Sequence, residues 1–161
     1  MRLVVVLAGL LIVACESSTD VIAVETFAGS LSGDDVRPTA VQTGGNGSLT
    51  ITSKSNTSLV TYELSFAGLS SAATSAHIHG PAVDTAVAAI LVDFAALPSG
   101  QGTIQLGTSG TASGEFDLHS AITPSVSGDS LFKLLNAGRL YVDVHTSVQT
   151  NGEIRGQITK K

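Results

Sequence analysis

The sequence predicts an all-β domain of seven or eight antiparallel strands, arranged as a sandwich or barrel, with one short helix. Three observations carry this expectation. Short segments of alternating apolar and polar residues recur along the chain, separated by clusters of Gly, Asn, Ser and Pro. Charged residues are only 13% of the chain, while Gly, Ser, Thr, Val and Ala abound, a balance that favours strands and turns over long helices. The cleanest segment places Val60, Tyr62, Leu64 and Phe66 on one face and Thr61, Glu63 and Ser65 on the other.

Taken in order, a first strand opens over 24–28, and a long Gly-, Asp- and Pro-bearing connection fills 31–47. A second strand over 47–52 runs into a turn at 54–58. The third, over 60–66, buries four large side chains, worth roughly 6–10 kcal/mol gross. Segment 76–80 is a short strand with Ile78 facing the core and His77 and His79 facing outward, roughly 6.6 Å apart along the strand. The mostly apolar 87–94 reads as a central strand, and 102–106 and 114–118 as weaker strands around a Gly-rich turn. The helix candidate is 130–138, capped by Asp129 or Ser130 and ended by Gly138. Segments 140–146 and 153–159 form a closing hairpin around 149–152. The cluster Gly44-Gly45-Asn46-Gly47 lacks the strand-to-helix setting and the lysine of a phosphate loop, and reads as a turn.

The chain begins Met1-Arg2 and is then apolar from Leu3 to Ala14, too short to span a bilayer but suited to the apolar region of a secretory signal. Ile12-Val13-Ala14-Cys15 resembles the lipobox of bacterial lipoproteins, in which the signal is cut before a cysteine that becomes lipidated. The expected organisation is therefore a signal peptide over 1–14, a lipidated tether over 15–23 and a single domain over 24–161. Cys15 is the sole cysteine, so no intrachain disulfide can form. The expected location is extracytoplasmic, anchored to the bacterial cell envelope by lipid at Cys15, with the outer membrane as one candidate. Without Arg2, seven Lys and Arg face thirteen Asp and Glu, a net charge of −6. No basic patch exists, and nucleic acid is not an expected partner.

Three of the four histidines fall in two predicted strands, His77 and His79 in one and His145 in the other. Alternation puts Tyr141, Asp143 and His145 on the face opposite Val142 and Val144, and Glu153, Arg155 and Gln157 on the face opposite Ile154 and Ile158. His145 and Arg155 thus share one polar surface, where Glu153 and Arg155 are candidates to pair with Asp143. Three neutral imidazoles suit copper or zinc. The same histidines can equally be a hydrogen-bonded polar face. His119 has no partner motif and reads as a surface residue, and Asp84 is a further candidate oxygen ligand. No serine sits in a Gly-x-Ser-x-Gly elbow, and no carboxylate pair has glycosidase spacing, so no enzyme is indicated.

Leu31-Ser32-Gly33 with Val36-Arg37-Pro38, Ala76-His77-Ile78-His79-Gly80-Pro81, Gly138-Arg139-Leu140-Tyr141-Val142-Asp143-Val144-His145-Thr146 and Asn151-Gly152-Glu153-Ile154-Arg155-Gly156-Gln157-Ile158 together resemble landmarks of the CHRD domain. That module is named from chordin and also occurs in bacterial exported proteins. The resemblance covers about 24–159, with Val36-Arg37-Pro38 where many members carry Val-Pro-Pro and Asp143 where Asn is common. It implies an immunoglobulin-like β-sandwich distantly similar to Cu/Zn superoxide dismutase, in which His77, His79 and His145 match copper-ligand positions. Gly80, Tyr141, Asp143, Glu153, Arg155 and Gly156 are then motif residues with a structural role. Residues 80–118 contain no histidine, so the dismutase zinc loop has no counterpart and dismutase activity is not expected. The expected function is a non-enzymatic binding or surface-interaction role toward protein, glycan or envelope components. The alternative is metal binding, copper or zinc, by the three histidines.

Overall fold

The alternation over 60–66 is realised in a longer strand, Leu59–Ala67, in which every second residue is buried and every other one exposed. The computed structural model describes residues 22–55, 57–117 and 128–161. Cys15 with the signal and most of the tether, and His119, lie outside the described residues.

The elements are β1 (Val24–Ser32), β2 (Asn46–Lys54), β3 (Leu59–Ala67), β4 (Ala73–His79), β5 (Ile90–Asp93), β6 (Gly102–Gln105), β7 (Gly110–Asp117), α1 (Gly128–Asn136), β8 (Leu140–Thr146) and β9 (Ile154–Lys160). All-antiparallel pairing joins the strands in the order β5-β4-β8-β9-β1-β2-β3-β7-β6. The fold is therefore all-β, as expected, but it is not a two-sheet sandwich of seven or eight strands. Among the described residues it is one nine-stranded, strongly curled sheet, a half-barrel, with one short helix. The reason is β9, which pairs with β8 on one side and β1 on the other, so the hydrogen bonding runs unbroken where a sandwich would divide.

The curl brings the two halves of the strand order face to face. Phe94, just after β5, packs on Tyr62 of β3 with ring centroids 4.9 Å apart, and Tyr62 also meets Phe116 of β7. The backbone N–H groups of Leu69 and Ala73 donate to the carbonyls of Thr108 and Gly107. Between β1 and β9 the ladder skips the residues separating Ala28 from Ser32. Gly156 lies at this point, and a methyl group there would run into the Ser30 carbonyl. A side chain at that place would hold the strands apart, so the glycine permits the bend.

One apolar cluster fills the concave side, drawing Phe27, Leu49, Tyr62, Ile78, Val142 and Ile158 from different strands. The helix closes it with Leu131 and Leu135, four residues apart and thus on one face. It begins at Gly128, two residues before the predicted start, which puts Asp129 in its first turn. It ends as expected: Gly138 takes φ 62°, while Arg139 N–H donates to Leu134 and Gly138 N–H to Leu135, both by backbone. Segment 87–94 is a further correction. Only Ile90–Asp93 is strand, and it is a sheet edge rather than a centre. A continuous apolar run fits a strand buried on both faces, but here Val87 and Ile90 stay largely exposed.

Candidate metal centre

Strands β4 and β8 place the histidines. Ala76, Ile78, Val142 and Val144 point into the core, so His77, His79, Tyr141, Asp143 and His145 occupy the opposite face. Register sets His77 directly across from Asp143, Ser75 from His145 and His79 from Tyr141. On the next strand Arg155 lies across from Asp143.

The sequence makes this face an outward polar surface. It is instead a second buried layer: His77, His79, Tyr141, Asp143 and Arg155 are each 8% exposed or less, and His145 is half-buried. The covering is irregular backbone. Carbonyls of segment 82–88 accept from Gln157 (Ala82), Arg155 (Val83 and Ala86) and His79 (Ala88). Val36, buried in the 33–45 connection, covers another part.

Asp143 Oδ1 is the centre of the cluster. His79 Nε2 and His145 Nε2 each lie 3.1 Å from it, and His77 Nδ1 lies 3.8 Å away. The outer nitrogens are already engaged: His79 Nδ1 is 3.0 Å from the Ala88 carbonyl and His145 Nδ1 is 2.9 Å from the Thr150 carbonyl. A carbonyl only accepts, so each Nδ1 carries the proton and each neutral ring turns the lone pair of Nε2 inward. Two imidazole lone pairs then face one carboxylate oxygen. His145 Nε2 meets Asp143 at hydrogen-bond separation but out of line; it and His77 Nδ1 are buried without a hydrogen-bond partner. Acceptors facing acceptors at this range repel unless a cation, proton or metal, lies among them.

The titration behaviour reflects the same conflict. Burial pushes the Asp143 carboxyl up, but His145 and His79 outweigh it and hold the group below the ordinary carboxylate range. Burial also pushes His145 down, yet the adjacent Asp143 carboxylate and the Thr150 carbonyl leave it raised. His77 is lowered, first by burial and then by the neighbouring His145, which favours its neutral form.

The donor set fits a metal ion. One atom from each of His77, His79, Asp143 and His145 lies within 4.8 Å of all the others. A tetrahedral ion with bonds of about 2.0–2.1 Å requires ligand atoms about 3.3 Å apart, near the 3.1 and 3.8 Å separations to Asp143. The backbone carbonyls on the two Nδ1 atoms are the outer partners that fix ring orientation at metal sites.

The structure thus brings His77, His79 and His145 together and adds Asp143 to them. Its alternate-residue spacing from His145 was the signal that it belongs in the set. Asp84 is exposed and outside this cluster. Tyr141 is a packing element here, stacked on His79 with centroids 4.8 Å apart and overlaid by the Arg155 guanidinium at 3.6 Å. Glu153 corrects a further expectation: it neither faces outward nor pairs with Asp143. It is fully buried and accepts from Thr43, Ser70 and Thr146, which tie two loops to the end of β8.

A family model described as the CHRD domain matches residues 27–158, most of the chain. No curated protein and no solved structure matches.

Proposed function

From the premise that the chain belongs to the CHRD domain family, we propose that this domain is a non-enzymatic metal-binding module, with His77, His79 and His145 as nitrogen ligands and Asp143 as the fourth. The observation that supports this most directly is the pair of buried, unpartnered nitrogens, His77 Nδ1 and His145 Nε2, beside a carboxylate oxygen. Three imidazoles and one carboxylate suit zinc, and also Cu(II). Four protein ligands make a closed site, which holds an ion rather than exposing it to a substrate. Dismutase chemistry is not part of the proposal, since residues 80–118 supply no histidine for a second metal.

Protein purified free of metal and titrated with Zn(II) and with Cu(II) should bind one equivalent, with Kd below about 10 μM. A His77→Ala/His79→Ala double variant should lose at least about two orders of magnitude in affinity. Affinity should weaken as pH falls into the acid range, because protonated imidazole cannot coordinate. Equal binding by wild type and double variant would refute the assignment.

We read the domain as carried at the cell envelope by lipid on Cys15, a reading supported by the apolar run and the Ile12-Val13-Ala14-Cys15 motif. Cys15→Ser should leave the precursor uncleaved and abolish incorporation of labelled fatty acid. Unchanged processing on a gel would overturn it.

A further inference from the structure

A cavity of about 380 Å³ opens onto one side of the histidine cluster, with His79, Asp143 and His145 in its wall. Two arginines also line it, Arg37 and Arg155. This is unexpected in a chain of net charge −5, and Asp143 is the only acid among the described lining residues. The two arginines are differently held. Arg37 Nη1 donates to the carbonyls of Asp34 and Val36, which fixes its position in the 33–45 connection. Arg155 Nη2 donates to Val83 and Ala86, and its plane lies on Tyr141, while its Nη1 is buried with no partner. A buried cationic donor left unpaired is costly, and a carboxylate is the group that matches a guanidinium fork. Val36, Pro38, Val87 and the Tyr141 ring form an apolar part of the wall, beside Thr150, Asn151 and Gly152.

We propose that this cavity is a binding site for a small organic carboxylate, whose anionic end meets Arg37 and Arg155 and whose apolar body lies against Pro38, Val87 and Tyr141. The site deepens the metal-binding reading and rests on it in one respect: a divalent ion among the four ligands offsets the Asp143 charge that would otherwise repel the anion. The metal then makes the cavity wall cationic, and the two arginines give the ligand its orientation. Metal loading and carboxylate binding are thereby coupled, each favouring the other.

The test uses benzoate as the probe and zinc-loaded protein, followed through the Nε–Hε resonances of the arginine side chains. Benzoate should shift the Arg37 and Arg155 signals with Kd near or below about 1 mM. Arg37→Gln, a change on the cavity rim, should weaken binding about tenfold, the loss of one charge-assisted contact. Inorganic phosphate should bind more weakly than benzoate, and tighter phosphate binding would overturn the role of the apolar wall. No shift up to about 50 mM benzoate, or equal affinity in Arg37→Gln, would overturn the carboxylate site. Zinc content of the same samples, measured after dialysis, separates the two readings. Zinc retained without a benzoate response removes only the carboxylate site. Failure to hold one equivalent of zinc in equilibrium dialysis against about 50 μM Zn(II) removes the metal assignment, and benzoate shifts of the Arg37 and Arg155 signals in that sample would then show the arginine site standing without it.

Discussion

Glu153→Ala is expected to destabilise the domain by about 3–5 kcal/mol, read as a loss of roughly 10–20 °C in melting temperature. The carboxylate is completely buried and fully satisfied. Oε1 accepts from Thr43 Oγ1 and from the Ser70 backbone N–H, both at 2.6 Å, and Oε2 accepts from Ser70 Oγ at 2.7 Å and Thr146 Oγ1 at 2.8 Å. Truncation strands those donors in a site with no substitute acceptor. Glu153→Gln should cost only about 1–2 kcal/mol, because the Ser70 and Thr146 hydroxyls can rotate to accept from the new amide. Burial raises the Glu153 carboxyl, but the bonds from Thr43, Ser70 and Thr146 more than offset this and leave it lowered. An unfolded chain therefore takes up the proton first as pH falls below the ordinary value of 4.5, and stability is lost from there down through the folded-state value. The wild-type advantage over Gln should shrink across that interval in urea melts at successive pH values. An Ala variant within about 1 kcal/mol of wild type would contradict the role assigned to these bonds.

Asp143→Asn should separate stability from metal response. At saturating zinc, about 100 times Kd, wild type should gain about 2.7 kcal/mol, and the Asn variant little, because a neutral amide oxygen is a poor fourth ligand. Without metal the order changes. At about pH 8.5 the two lone pairs of His79 and His145 face a carboxylate in wild type but an amide N–H donor in the variant, so Asn should be at least as stable. A purely structural Asp143, serving only as acceptor for its histidine neighbours, would instead be destabilised by Asn with and without zinc alike. Thermal melts of both proteins with zinc and with a chelator distinguish the cases.

What the sequence could and could not reveal follows from where the periodicity lies. Strand β3, strand β8 and the end of α1 at Gly138 were legible because alternation, helical spacing and a left-handed glycine are local signals. The alternation of 141–145 and 77–79 also gave the shared face of the three histidines. Alternation says which side of the sheet a residue takes, not whether that side meets water. The face is dry because segments 33–45 and 80–89, without period, lay backbone carbonyls across it, and nothing in Ala82, Val83, Ala86 or Ala88 announces this. The same limit hid the role of Glu153, whose partners Thr43 and Ser70 are far away along the chain. The single sheet was missed because it depends on the pairing of β9 with β1, a contact between the two ends of the domain.

That pairing also governs how the domain comes into being. The last strand in chain order sits in the middle of the sheet, between β8 and β1. Until it emerges from synthesis, β1 and β8 each present a bare strand edge, and the sheet exists only as two unjoined pieces. The sheet therefore cannot be completed before the C-terminal strand is in place. Its completion waits for a long-range closure, which is slow and exposes the intermediate to aggregation. A chain lacking 154–160 should accumulate as insoluble pieces rather than as a smaller folded protein.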